Sequence, residues 1–127
     1  MTGELAAERV LAQDALTVPI EHAPIQADDV LGGHPTMGAE TLHTHDGVEL
    51  GIWEITSGVV TDVEADEVFV VLSGRGRVEF EDGSSIALGT GTVVRLRAGD
   101  RTHWIVYETL RKIYVLLPPP DHEEATS

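Results

Sequence analysis

The sequence predicts an all-β protein, a sandwich or a barrel, formed mostly by its second half. Runs of β-branched and aromatic residues recur from position 50 at the spacing of short strands, and glycine-containing turns separate them. The chain has 127 residues, of which 42% are hydrophobic, so it can form one domain with one modest core. The predicted strands cover residues 50–55, 68–72, 75–81, 85–88, 92–96, 103–107 and 110–117.

The strand over residues 75–81 has the clearest pattern. Arginine and glutamate occupy every second position from Arg75 to Glu81, with Gly, Val and Phe between them. One face of the strand is therefore solvent-exposed and the other is buried. The tetrapeptide 81–84 after this strand predicts a hairpin. Its Asp82-Gly83 pair tolerates the positive φ values of a type I′ turn.

The two ends of the chain are predicted to lie outside this barrel. Residues 1–30 form an arm that is irregular or contains one short helix over residues 4–16, and prolines at positions 19 and 24 break any regular structure beyond that helix. The barrel takes residues 31–117. Three successive prolines from Pro118 cannot donate ladder hydrogen bonds, so residues 118–127 form a loose tail.

Composition and charge exclude several classes of function. Eight basic and 22 acidic residues give a net charge of −14, which disfavours nucleic acid as a partner. No apolar run approaches the roughly 20 residues of a membrane span, and the acidic start is unlike a signal peptide, so we expect a cytoplasmic protein that binds no membrane. The absence of cysteine removes disulfides, thiolate ligands and cysteine nucleophiles.

The basic residues are unevenly distributed along the chain. Residues 10–74 contain no Lys or Arg, whereas seven of the eight basic residues lie between Arg75 and Lys112. This pattern has two interpretations. One is charge compensation between neighbouring strands, and the other is an anion-binding site.

Several short motifs together resemble the cupin superfamily, and more narrowly the small single-domain cupins grouped with ureidoglycine aminohydrolase and the ethanolamine-utilisation cupin. The match covers roughly residues 33–117, which is most of the chain, and the order and spacing of the motifs make it specific. The resemblance implies a double-stranded β-helix, which is the cupin jelly-roll barrel, and commonly a homodimer. The motifs are Gly51-Ile52-Trp53-Glu54, Ser57-Gly58, Asp66-Glu67, Leu72-Ser73-Gly74, Gly91 to Gly99, and the run from Glu108 to Val115.

The same resemblance implies a metal site of which this chain keeps little. Full cupins bind a metal through two His and a Glu of a first motif and one His of a second. Glu67 and Gly74 fit the end of the first motif, but Gly58 precedes Glu67 by nine positions where the pattern requires roughly twelve or thirteen. The missing stretch is the one that carries the histidines. In the second motif Thr102 occupies the position of the metal-binding His, and Arg97 replaces a Pro.

Some of the six histidines of the chain are candidate metal ligands, and the others are not. His43, His45 and Glu49 repeat the His-x-His-x3-Glu spacing at another place, either as a metal site or as an exposed strand end with a turn at Asp46-Gly47. His103 adjoins Thr102, but a strand neighbour faces the opposite side unless a bulge intervenes. The remaining three, His22, His34 and His122, lie in loop or tail surroundings and are expected to be solvated.

A carboxylate left in the barrel without its metal requires a counter-charge, because an unpaired buried charge is costly. Lys112 and Tyr114 share one face of the last predicted strand by the period of two, so Lys112 is the candidate partner of Glu67, against the alternative of a lysine at a surface edge. Arg95 and Arg97 are the remaining candidates.

The sequence therefore predicts a cupin that binds a small metabolite, with an anion among the candidate ligands, and that needs no cofactor. The alternative is an aminohydrolase-like or dioxygenase-like enzyme with one divalent metal such as Zn, Mn, Ni or Fe, held by Glu67, His103 and either His43 or His45. A third possibility is a dimerisation scaffold in a larger assembly. Residues predicted to line the ligand pocket are Trp53, Glu67, His103, Trp104, Lys112 and Tyr114.

Overall fold

A computed structural model describes residues 8–119 of the chain. Its regular structure is almost entirely antiparallel β, with one short 3-10 helix at Ala27–Asp29. The nine strands of this region are β1 (Ala23–Pro24), β2 (Val30–Gly32), β3 (Thr36–His45), β4 (Val48–Ile55), β5 (Gly58–Val63), β6 (Glu67–Phe80), β7 (Ser85–Leu88), β8 (Val93–Leu96) and β9 (Arg101–Leu116).

The two longest strands, β6 and β9, pair along their whole length and join the two halves of the barrel. The C-terminal half of β9 also pairs with β4, and its N-terminal half pairs with β5. On the other side, the start of β6 pairs with β8 and its end pairs with β7. The strands therefore form two curled sheets, β1-β3-β4-β9-β6-β8 and β2-β5-β9-β6-β7, that share their central pair. This is the jelly-roll barrel that the sequence predicts.

A glycine marks the point where β6 changes from one sheet to the other. Gly74 has a φ of 92°, and the register between β6 and β9 shifts on both sides of it. A Cβ at this position would collide with the Thr109 carbonyl oxygen, so the backbone approach requires glycine. The predicted breaks near residues 73–74 and 108–109 are bends within long strands, not loops between separate ones.

The predicted turn at residues 81–84 exists, but its type differs from the prediction. Gly83 has a φ of 90°, whereas Asp82 has no positive φ, so this is not a type I′ turn. Asp82 instead accepts hydrogen bonds from the backbone N–H and the hydroxyl of Ser84. Asp46-Gly47, between β3 and β4, has positive φ at both residues, 49° and 82°.

The first half of the chain contains more strand than the sequence predicts. Both β3 and β5 lie outside the predicted strands, and β4 begins two residues early, at Val48. In the predicted arm helix, Glu8 and Arg9 are helical and residues 10–17 are irregular backbone with bends and a turn, while residues 4–7 lie outside the described region. Within residues 8–119, no helix has the length and apolar character needed to cross a membrane.

The core fills the space between the two sheets. Its buried residues come from six strands and form one cluster, which includes Trp104. The alternation of the strands places these side chains on one face, and the polar side chains of the same strands face solvent. The members of the cluster are Ile55, Val60, Phe69, Val71, Val78, Leu88, Val94, Leu96, Trp104, Val106, Leu110 and Tyr114.

Candidate functional site

A half-open pocket of about 270 Å³ enters the barrel beside this core. Its walls come from strands β3, β4, β5 and β9, from the first residue of β6, and from the segment around the 3-10 helix. Aromatic and aliphatic side chains form most of the wall, and charged side chains lie among them. The lining residues are Ile25, Asp29, Met37, Ala39, Trp53, Val60, Thr61, Asp62, Glu64, Glu67, Trp104, Lys112, Tyr114 and Leu116.

A lysine and a glutamate meet at the inner wall of the pocket. The Nζ atom of Lys112 lies 2.7 Å from Oε2 of Glu67. Both residues are buried, with 5% and 6% of their surface exposed. Oε2 of Glu67 has no hydrogen-bond partner, so the contact is an ion pair whose angles are not those of a hydrogen bond.

Three aromatic rings surround the same ammonium group. The Nζ atom of Lys112 lies 4.5 Å from the ring centre of Trp53, 4.3 Å from that of Phe69 and 4.8 Å from that of Trp104. Cross-strand pairing brings them together, because Lys112 on β9 lies directly opposite Trp53 on β4. The negative faces of the rings attract the cation, so the ammonium is stabilised both by the rings and by Glu67.

A second buried glutamate lies near this ion pair and was not predicted. Oε2 of Glu64 accepts hydrogen bonds from the Thr102 hydroxyl at 2.6 Å and from the Trp104 indole N–H at 2.9 Å. Glu64 is only 7% exposed. Val60, Thr61 and Asp62 of β5 line the pocket with Glu64, but Glu64 lies just past the end of that strand, so the strand pattern does not identify it in the sequence.

The pKa values of two lining residues reflect the same environment. Partial burial, followed by the charge of Glu64, raises the pKa of Asp62 to about 6, although much of this residue remains exposed to solvent. Burial also raises the pKa of Tyr114 to about 12, and the hydrogen bond that its hydroxyl donates to Glu49, at 2.7 Å, adds to this effect. Tyr114 therefore stays neutral at physiological pH.

The structure brings together five of the six side chains that the sequence places in the pocket. Trp53, Glu67, Trp104, Lys112 and Tyr114 all line it.

The sixth, His103, does not line the pocket and is a correction to the prediction. His103 lies on β9 between Thr102 and Trp104. The side chains of these two neighbours are buried, so the alternation of the strand directs His103 to the outer surface. There it lines a separate surface groove with Glu79 and Arg101.

The donor groups present do not fit the metal site of full cupins. The resemblance implies that Glu67 is a ligand, but the partner of Glu67 is an ammonium group. It also implies a metal-binding His at the position of Thr102, which hydrogen-bonds Glu64. Residues 8–119 contain no group of three or more His, Asp or Glu side chains arranged to hold a metal ion. The ligand set of the predicted alternative enzyme is not assembled, because His43 and His45 are exposed on β3 and His103 faces outward.

Two of the remaining histidine predictions can be compared with the structure. His34 is exposed, as expected. His22 is half-buried, and its ring contacts Thr36 and Glu54 at 2.9 and 2.7 Å, so the prediction that it is solvated is wrong. The arm folds back onto β3 and β4, which local composition does not reveal. His122 lies outside the described residues.

The opposite face of the pocket wall carries a second ion pair. Arg111 donates to Glu54 at 2.9 Å and to the Ala15 carbonyl at 3.0 Å, which anchors the arm. Burial alone would raise the pKa of Glu54, but the hydrogen bonds with His22 and Arg111 outweigh it and lower that pKa below its usual value. These contacts bear out charge compensation between neighbouring strands.

Comparisons with known proteins agree with this architecture. The family model of the EutQ-like cupin domain matches residues 42–114, which is more than half of the chain. The EutQ protein of Clostridium difficile has a similar solved structure, with a TM-score of 0.66, 18% identity, and coverage of 84% of this chain and 86% of that one. A search of curated proteins found no match.

Two solved structures of the DUF861 family are also similar. One, from Pseudomonas syringae pv. tomato and of unknown function, has a TM-score of 0.70 and 22% identity over 81% of this chain, which spans only 46% of that longer protein. The other, from Thermotoga maritima, has a TM-score of 0.50 and 31% identity, and the match covers 52% of this chain and 76% of that one. The motif order, the jelly-roll topology and the family match agree, and the chain belongs to the EutQ-like cupin family.

Proposed function

We propose that this cupin binds a small metabolite in the barrel pocket and does so without a metal ion. The observation that carries the proposal is the convergence of Glu64, Glu67 and Lys112, all nine-tenths buried or more, at the wall of a pocket open to solvent. Burying charged groups is costly, and a barrel built only for stability would fill these positions with apolar side chains.

The shape of the pocket supports the same proposal. Ligand sites are typically concave, largely apolar, and supplied with a few polar groups in fixed positions. A volume of about 270 Å³ suits a metabolite of a few non-hydrogen atoms. The Thr102 and Trp104 bonds fix Glu64, and the aromatic rings fix Lys112, so both charges are held in place before a ligand arrives.

A screen of small metabolites by thermal unfolding tests this function. A ligand at one hundred times its Kd stabilises the folded state by about 2.7 kcal/mol, which is a measurable rise in Tm. Calorimetric titration then gives the stoichiometry, which we expect to be one ligand per chain.

A pocket-filling variant localises the binding. Ala39 lines the mouth of the pocket opposite Trp53, so Ala39→Trp fills it without entering the core. Ala87 is exposed on β7 and away from the pocket, so Ala87→Trp is the matched control. We expect ligands to stabilise the parent protein and A87W but not A39W. The proposal is wrong if no metabolite binds, or if the ligands found stabilise A39W equally.

A further inference from the structure

The charges that line the pocket are unequal in number. Four carboxylates line it, those of Asp29, Asp62, Glu64 and Glu67. Among the described lining residues Lys112 is the one cation, and none is Arg or His. A pocket with this lining presents a negative potential to an entering ligand.

The positive charge of Lys112 is already used within the protein. Glu67 lies 2.7 Å from its ammonium, and three aromatic ring centres lie within 4.8 Å of it. The residue is only 5% exposed, and the adjacent Glu67 carboxylate offsets its charge. Lys112 and Glu67 compensate each other, which leaves Asp29, Asp62 and Glu64 without a cation among the described lining residues.

The protonation of Asp62 agrees with this excess of negative charge. Burial, and after it the neighbouring charge of Glu64, disfavours the ionised form of Asp62. A ligand that carries N–H groups and a positive charge relieves the repulsion between these carboxylates, whereas an anion increases it.

The rest of the pocket accommodates a short hydrocarbon chain. Ile25, Met37, Val60 and Leu116 form an apolar wall, and Trp53 adds a half-buried ring. We infer that the pocket selects a small aliphatic amine in its protonated form, with the ammonium among Asp29, Asp62 and Glu64 and the alkyl part against the apolar wall. This inference rests on the proposed function, and it reverses the expectation of an anion that the clustered basic residues raised.

Three probes of matched size and different charge test the inference. These are n-butylammonium, n-butanol and butyrate, each titrated at pH 7.5 and constant ionic strength into the ¹⁵N-labelled protein. The chain has two tryptophans, and both line the pocket, so their indole N–H signals report binding directly. We expect n-butylammonium to shift these signals saturably, and the other two probes to bind at least tenfold more weakly.

A charge-removing variant identifies the group responsible. Asp62→Asn removes a charge at the pocket mouth, and the amide oxygen can still accept the Val63 N–H bond. Asp46→Asn is the matched control, because Asp46 is exposed in the β3–β4 turn and Asn tolerates its left-handed φ of 49°. We expect D62N to weaken n-butylammonium binding at least threefold and D46N to leave it unchanged.

The outcomes separate this inference from the proposed function. If butyrate or n-butanol binds as tightly as n-butylammonium, the ligand class is wrong and binding in the pocket stands. If D62N binds n-butylammonium as tightly as D46N does, the placement of the ammonium is wrong. If no probe binds, the amine inference is wrong. The metabolite screen described above then tests the proposed function independently.

Discussion

Lys112 and Glu67 form an ion pair inside the barrel, with Nζ 2.7 Å from Oε2 and both residues at least nine-tenths buried. The family resemblance assigns Glu67 the position of a metal-binding glutamate, and we propose that the ammonium provides the positive charge that a metal ion supplies in full cupins. The counter-charge of Glu67 is then a side chain of the same protein chain.

The ion pair should show strong energetic coupling. We expect Glu67→Gln and Lys112→Met each to lower the free energy of unfolding by about 3–5 kcal/mol, because each leaves a buried charge without its partner. The double variant should cost much less than the sum. Urea midpoints of the four proteins measure the cycle. Additive effects would contradict the coupling.

An exposed pair provides the comparison for that cycle. Arg77 and Glu79 lie 2.7 Å apart, but 44% and 40% of their side chains are exposed. The same substitutions there, Arg77→Met and Glu79→Gln, should show a coupling below about 1 kcal/mol. Equal coupling energies in the two pairs would mean that burial does not strengthen the interaction between Lys112 and Glu67.

Metal titration tests the donor set of the pocket. We expect Zn, Mn, Ni and Fe(II) to show no stoichiometric binding at the position of Glu67, because the ammonium of Lys112 already pairs with this carboxylate and the hydroxyl of Thr102 is bonded to Glu64. Calorimetry on protein purified without a metal-affinity tag is the measurement. A tight one-to-one site that Glu67→Ala abolishes would show that the barrel recruits other ligands.

Asp62 should make stability depend on pH. Its pKa is about 6 in the folded protein against an ordinary 3.8, so the folded state binds the proton more tightly and loses stability as the pH rises from about 4 to about 6. Asp62→Asn should therefore raise the unfolding midpoint at pH 7 and give no gain at pH 4. Solvent screening keeps the gain below about 1 kcal/mol. A gain that is equal at both pH values would contradict this assignment.

The sheet-changing glycine should tolerate no side chain. At Gly74, alanine meets both an unfavourable φ of 92° and the backbone of β9, with Leu110 Cα 2.7 Å from the added Cβ. Gly83 has a φ of 90° and open space around it, so Gly83→Ala isolates the conformational cost of about 1–2 kcal/mol. We expect Gly74→Ala to cost about 1–3 kcal/mol more than that. Equal unfolding midpoints for the two variants would mean that the backbone of β9 moves away from the added methyl group with no loss of unfolding free energy.

The homodimer implied by the family resemblance stays a prediction, and one edge strand supports it. Beyond its short pairing with β1 at Thr36 and Met37, one edge of β3 has no partner strand within residues 8–119. Such an edge readily pairs with a second copy. Light scattering during gel filtration should give about twice the chain mass of 13.7 kDa. A single-chain mass at micromolar concentration would contradict the dimer.

The sequence predicts the second half of the fold better than the first, for a physical reason. Strands β6, β7, β8 and β9 bury one face, so their apolar residues alternate or cluster visibly. Strand β3 is exposed along most of its length and shows no such pattern.

The site follows the same rule. The alternation of β9 places Lys112 and Tyr114 together in the pocket, as the sequence predicts. Glu64 lies just past the end of β5, and a carboxylate there has no neighbouring apolar pattern that would distinguish it from a surface residue. Its burial depends on Thr102 and Trp104, which are 38 and 40 residues away in the sequence.

The position of β9 determines when this barrel can fold during synthesis. The residues Arg101–Leu116 are the shared partner of β4, β5 and β6. The partner segment of β5 ends at position 106, whereas those of β4 and β6 are complete only at position 116. A nascent chain therefore carries exposed apolar strands until β9 has been made, and the barrel closes only then. Non-local pairing of this kind places folding in the milliseconds-to-seconds range and leaves the unfinished chain in need of protection from aggregation.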